Sequence, residues 1–263
     1  MDAEPRIAVF IDFENLALGT KDGSSAGTSF DCSLVLQRLL EKGRIVYKRA
    51  YCDWNRFRGS TKSLHENGIE LVEIPQTRQS GKNSADIRMV VDAIDLCYAK
   101  QHIDIFALVT GDSDFSPLAS KLKENDKRVL GCGVRQSTSN LLIGSCDEFV
   151  YYDDLVKKKK ERQPRKKAST KETPGDDAIA KVVEIVESLD AEYDVMWGSM
   201  LKQALRRVDP GFSEKAYGYD SFAALLEAAD DAGVLEIDFD EARGNYAVSL
   251  PNQRRSKASK RKS

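Results

Sequence analysis

The chain has 263 residues and a net charge of −2; at 41% hydrophobic and 31% charged it holds core material for one large or two modest domains, which excludes a wholly disordered polypeptide. No apolar run approaches the ~18–20 residues that span a bilayer, and the opening MDAEPRIAVFID has neither a basic n-region nor a small-residue cleavage site, so membrane insertion and classical secretion are poor readings. Five scattered cysteines without a C-x-x-C pair, and two isolated histidines, argue against a disulfide framework or zinc site and for a reducing, cytoplasmic setting.

Over residues 1–156, apolar β-rich runs alternate with helical stretches. Residues 7–12 (IAVFID) read as a strand ending in an acid, and 16–30 as a long loop. Asp31 stands where a helix over 33–42 needs its N-cap, with Gly43 just past the end. A strand over 44–52, a helix over 55–67 and a strand over 69–74 follow. Next come a helix over 84–99, a strand over 104–110, a helix over 115–125, a strand over 128–134, a short helix over 138–145 and a last strand over 149–152. This alternation predicts an α/β three-layer domain with a mostly parallel sheet, whose ligands bind beyond the C-terminal ends of the strands.

Charge is segregated beyond that point. Residues 157–171 (KKKKERQPRKKASTK) carry a net charge of +8, residues 176–250 a net of −11, and residues 251–263 a net of +6. Like charges repel and cannot bury a core, so 157–175 reads as a flexible basic linker and 251–263 as a disordered basic tail. Either neutralises the acidic block or attracts a polyanion. Between them, amphipathic helices over 178–189, 196–208 and 221–232 precede two alternating runs, 234–239 and 245–250, which suggests a small α+β winged-helix domain over 176–250.

The chemistry-bearing residues are acids. Asp12 ends the first strand, Asp112 and Asp114 follow the strand over 104–110 in TGDSDF, and Asp86 lies near the start of a helix. Carboxylates held close together need a cation, and an all-oxygen set favours Mg²⁺ or Mn²⁺ over softer metals. One or two such ions serve in-line phosphodiester displacement. Gly111 lets the backbone approach closely. Structural readings stay open: Asp114 or Ser116 as a helix N-cap, Asp86 as a first-turn acid on the helix dipole, Asp12 as an exposed strand end. Asp92, six residues past Asp86, falls about 240° around a helix and belongs to another face. Gly81-Lys82 is no P-loop, because Gln76 stands where the motif needs Gly and Asn83 where it needs Ser or Thr. No G-x-G-x-x-G follows the first strand.

The strings VFIDFEN (9–15), SADIRMVVDA (84–93) and LVTGDSDFSPL (108–118), in this order, resemble the NYN domain, a PIN-like ribonuclease family, over about residues 5–154. The resemblance implies a PIN-like, Rossmann-like fold and metal-dependent hydrolysis of RNA. It implies that Asp12, Asp86, Asp112 and, less uniformly, Asp114 hold the metal, and that Asn15 helps position substrate or a metal-bound water. The second domain is similar to an OST-HTH (LOTUS) domain, which implies RNA or a protein partner, with Tyr217, Gly218 and Tyr219 as a contact point. Arg49, Arg56, Arg58, Lys82 and Arg135 are the candidate phosphate contacts, and Tyr51, Trp54 and Phe57 either stack on bases or pack internally. The expected partners are thus RNA, single-stranded or structured, a protein bound by the second domain, and a second copy of the chain. The competing expectation is a non-catalytic RNA-binding scaffold in which the acidic cluster is structural.

Overall fold

The computed structural model describes residues 4–22, 30–74, 84–168, 174–190, 193 and 195–251. They divide into two compact units, the first made mostly of residues up to 166 and the second mostly of those from 167 on. No helix among the described residues is long and apolar enough to cross a membrane.

In the first unit, six strands form one sheet: β1 (Arg6–Asp12), β2 (Arg44–Cys52), β3 (Glu70–Glu73), β4 (Ile105–Val109), β5 (Arg128–Gly133) and β6 (Glu148–Tyr151), in the order β3-β2-β1-β4-β5-β6. Every neighbouring pair is parallel. The α/β expectation is met, and the burial pattern shows why the strands read as unbroken apolar runs: both faces are covered. Ile7, Val9 and Ile11 point into one core with Leu16, Leu36, Leu39, Leu64 and Tyr152. Ala8 and Phe10 point into the other with Met89, Ala93, Leu118 and Leu122.

The helices are α1 (Phe13–Asp22), α2 (Cys32–Lys42), α3 (Arg58–Glu66), α4 (Ser84–Ala99), α5 (Ser116–Glu124), α6 (Asn140–Ser145) and α7 (Tyr152–Ala168). Asp31 caps α2 as expected, its carboxylate accepting the Ser33 N–H at 3.1 Å. Three readings are corrected. The stretch read as a loop from residue 16 begins as helix α1, because Phe13, Leu16 and Ala17 bury themselves against the sheet. The helix expected from 55 starts at Arg58, since Asp53 holds a turn first by accepting the Asn55 N–H. The basic segment from 157 is helical through 168, where Lys, Arg, Glu and Gln extend a helix already anchored by buried Tyr152 and Val156.

The second unit contains α8 (Pro174–Leu189), α9 (Gly198–Val208), α10 (Phe222–Asp231) and an antiparallel sheet β7-β9-β8 made of Met196–Trp197, Asn245–Ser249 and Glu236–Asp240. Met196 and Trp197, read as the start of a helix, pair instead with Val248 and Ala247, so the hairpin gains a third strand. Val182, Ile185, Leu201, Leu205, Leu225 and Leu226 form its own core.

Candidate active site

β1 has β2 on one side and β4 on the other, so the chain changes direction across the sheet between β1 and β4. A crevice at the carboxyl ends of strands opens at such a switch point. Asp12 ends β1, and Thr110, Gly111 and Asp112 follow β4, which places two of the anticipated acids there.

Hydrogen bonds join these two strand ends. The buried Thr110 hydroxyl donates to Asp12 Oδ2 at 2.9 Å, and Thr110 Oγ1 accepts the Asp112 N–H at 3.2 Å. Asn15 Oδ1 accepts the Gly111 N–H at 2.9 Å, while Asp12 Oδ1 accepts the Asn15 N–H at 3.3 Å. Asn15 Nδ2 has no hydrogen-bond partner among the described residues. Gly111 is sterically required: a Cβ there would lie 2.6 Å from the Ser137 carbonyl oxygen, and the Gly111 carbonyl accepts the Ser139 N–H at 2.9 Å. Asp112, not Asp114 or Ser116, supplies the cap; its Oδ1 accepts the Asp114 N–H at 3.0 Å and starts a 3-10 turn over Ser113–Phe115.

Electrostatics tie Asp86 to the same place. Asp12 is only 7% exposed, and its carboxyl is pushed up to about 7 chiefly by burial, with the charges of Asp86 and Asp112 adding to the shift and the Asn15 N–H and Thr110 hydroxyl opposing it. Asp86 is held above the ordinary carboxylate range by burial and then by Asp112, Asp114 and Glu14. Among the described residues no Lys, Arg or His forms an ion pair with Asp12, Asp86, Asp112 or Asp114. The donor chemistry fits a hard divalent cation: all the donors are oxygen, and the buried member lacks a counter-charge. The described residues do not converge into a group of three or more ligands able to hold a metal ion as they stand. Glu14 and Thr110 were not anticipated as parts of the site. Thr110 carried a usable signal, a hydroxyl set between an apolar strand and Gly-Asp.

The basic residues divide. Arg49 is turned to structural use, bonding Glu70 at 2.8 Å and Asp92 at 3.1 Å, and Asp92 also accepts the Tyr51 hydroxyl at 2.9 Å. Arg56 pairs with Glu14, beside the acids. Arg58 donates to Asn55 Oδ1, and Arg135 pairs with Asp154 at 2.7 Å with its guanidinium 3.8 Å above the Tyr151 ring. Lys82 lies outside the described residues. Tyr51 and Trp54 are buried, with Trp54 Nε1 donating to the Val72 carbonyl, so they pack rather than present open rings. Tyr217 stacks on Phe212 and takes the Lys181 ammonium at 2.8 Å, a structural role within the second unit. Gly218 there has a φ of +91°, the left-handed end of a turn. A separate cavity of about 810 Å³ is lined by Phe13, Phe30, Cys32, Leu64, Tyr152 and Lys159 and includes none of the four acids.

The model of the NYN domain matches residues 6–153. The chain belongs to the NYN family. That domain lies within the PIN-like nuclease superfamily. An uncharacterized protein of Methanocaldococcus jannaschii is 27% identical over 164 residues, 62% of each chain, so the chain spans about three fifths of the length of this relative. A crystal structure of a protein of unknown function from Vibrio parahaemolyticus is similar with a TM-score of 0.52 and 26% identity, over 59% of this chain and 97% of that one.

Proposed function

We propose that this NYN protein is a ribonuclease that hydrolyses RNA phosphodiester bonds with Mg²⁺ or Mn²⁺. The observation that carries the reading is the buried Asp12 at the end of β1, joined through the Thr110 hydroxyl to the strand end that bears Asp112, and the charge of Asp86 supports it by helping to raise the Asp12 carboxyl. Asp12, Asp86 and Asp112 would hold the cation, with Asp114 assisting. When bound, the cation lowers the pKa of water and offsets charge on the phosphate oxygens. Thr110 and the Asn15 Oδ1 contact keep the two strand ends in register, and Asn15 Nδ2 is left to orient a phosphate or water. Arg56, paired with Glu14 whose charge acts on Asp86, is a cation that could meet a phosphate if it exchanges Glu14 for substrate.

The same reading divides the chain into a nuclease domain (1–156), a basic connector (157–175), an OST-HTH-like domain (176–250) that engages RNA or a protein, and a basic tail (251–263). Five free thiols suit a reducing, cytoplasmic setting. Labelled single-stranded RNA incubated with wild type and Asp112→Asn, in Mn²⁺ and in EDTA, tests it. Cleavage by the wild type in Mn²⁺ alone is expected, and equal cleavage in all samples defeats the proposal. Parallel DNA and phosphomonoester substrates separate it from a DNA nuclease or phosphatase.

The lack of three converging ligands among the described residues favours a second reading, an RNA-binding scaffold with a structural acidic cluster. It requires RNA binding that survives EDTA and Asp12→Ala, with no turnover in any metal.

A further inference from the structure

The outward side of α4 is apolar where its neighbours are polar. Ile87, Val91 and Tyr98 are 63%, 49% and 58% exposed, and at 100° per residue they fall within about 40° of one another around the helix axis. Partly buried Ile94 continues the stripe toward the core. By contrast, the exposed positions of its neighbour α5 are Pro117, Ser120, Lys121, Lys123 and Glu124. Three large apolar side chains aligned on one side of a helix, beside the polar exposed positions of α5, mark an interface rather than a solvent face.

We propose that the stripe is the seam of a homodimer in which α4 packs antiparallel against α4 of a second copy across a two-fold axis near residues 91 and 92. The argument for this occupant is self-complementarity. An isologous contact needs each residue to find its opposite number on the same surface. With the axis there, Ile87 meets Tyr98 of the other copy, Val91 meets Val91 and Ile94, and exposed Arg88 faces exposed Asp95, twice by symmetry. Arg88 uses Nε for Asp92 at 2.9 Å, which leaves its terminal nitrogens for this contact. Asp86 is one residue from the seam but turned about 100° away from Ile87, so each acidic crevice stays open in the dimer. A 16-residue helix is about 24 Å long. A seam confined to it falls short of the ~1,200–2,000 Å² of a standard interface, which makes the association weak and concentration-dependent. The inference does not rest on the nuclease reading.

Sedimentation equilibrium of the full chain, from low micromolar to submillimolar concentration, tests it. The expected weight-average mass rises from 29.3 kDa toward twice that value. Val91→Glu, with an unchanged far-ultraviolet dichroism spectrum, holds the mass at the monomer. Arg88→Asp and Asp95→Arg each weaken association by about tenfold, and mixing the two variants restores it, because the reversed charges then face each other. A mass that stays monomeric at every concentration overturns the proposal, as does wild-type association by Val91→Glu. Failure of the mixed variants to recover overturns the antiparallel register.

Discussion

The hydroxyl of Thr110 connects two carboxylate-bearing strand ends, donating to Asp12 and accepting from the Asp112 amide. Thr110→Val keeps the shape and leaves both partners unsatisfied, at about 1–3 kcal/mol of stability. On the proposed reaction it also lowers turnover by about 10–100-fold. Thr110→Ser should recover both, measured by thermal denaturation and RNA cleavage; an unimpaired valine variant removes the positioning role. Asp12 sets a pH dependence whose sign follows from linkage. Its folded-state pKa, about 7, lies above the ordinary 3.8, so between these values the native protein holds a proton that the unfolded chain has released. The metal-free protein therefore loses stability as pH rises from about 4 to about 7, by something on the order of a few kcal/mol, and levels off above that. Denaturant unfolding at pH 5 and pH 8 should show this slope in wild type and a flatter one in Asp12→Asn. Added Mn²⁺ should stabilise wild type more at pH 8 than at pH 5, because the cation competes with that proton.

Elements respond to change according to what lies against them. At Gly111 a Cβ would meet backbone, the Ser137 carbonyl oxygen at 2.6 Å, whereas at Gly19 the nearest atom is the Ser137 hydroxyl at 2.5 Å, which can rotate. Gly111→Ala is expected to cost about 1–3 kcal/mol and Gly19→Ala much less, since only the first must move main chain; paired melting curves decide it. Gly19 also explains why α1 escaped a reading from sequence. FENLALGT carries Asn and Gly, weak helix formers, and the helix is sustained by burial of Phe13, Leu16 and Ala17 rather than by propensity. β1 was legible for the opposite reason: six consecutive residues of this parallel strand are buried, and apolar letters must run without a break.

At the scale of the molecule, opposite charges are sorted along the chain, with +8 over 157–171 against −11 over 176–250. If the basic stretch engages RNA, replacing Lys157, Lys158, Lys159 and Lys160 with Gln should weaken binding across sequences. It should also flatten the dependence of log K on log salt, by about 0.7 for each lost phosphate contact on single strands. Lys159 already pairs with Asp31 at 2.8 Å, so its share of that change should be smaller than its neighbours'. An unchanged slope assigns the segment to neutralising the acidic block.

Residue order was enough for the alternating α/β class and for Asp12 and Asp112 at strand ends; these depend on local burial patterns. It could not say that Arg49 is held by Glu70 and Asp92, that Asp112 rather than Asp114 caps the turn, or that Met196 and Trp197 join a sheet. Each of those outcomes is a choice among partners far apart along the chain. Folding makes that choice by bringing a counter-charge, a free amide or an unpaired strand edge within reach, and no local pattern encodes which one arrives.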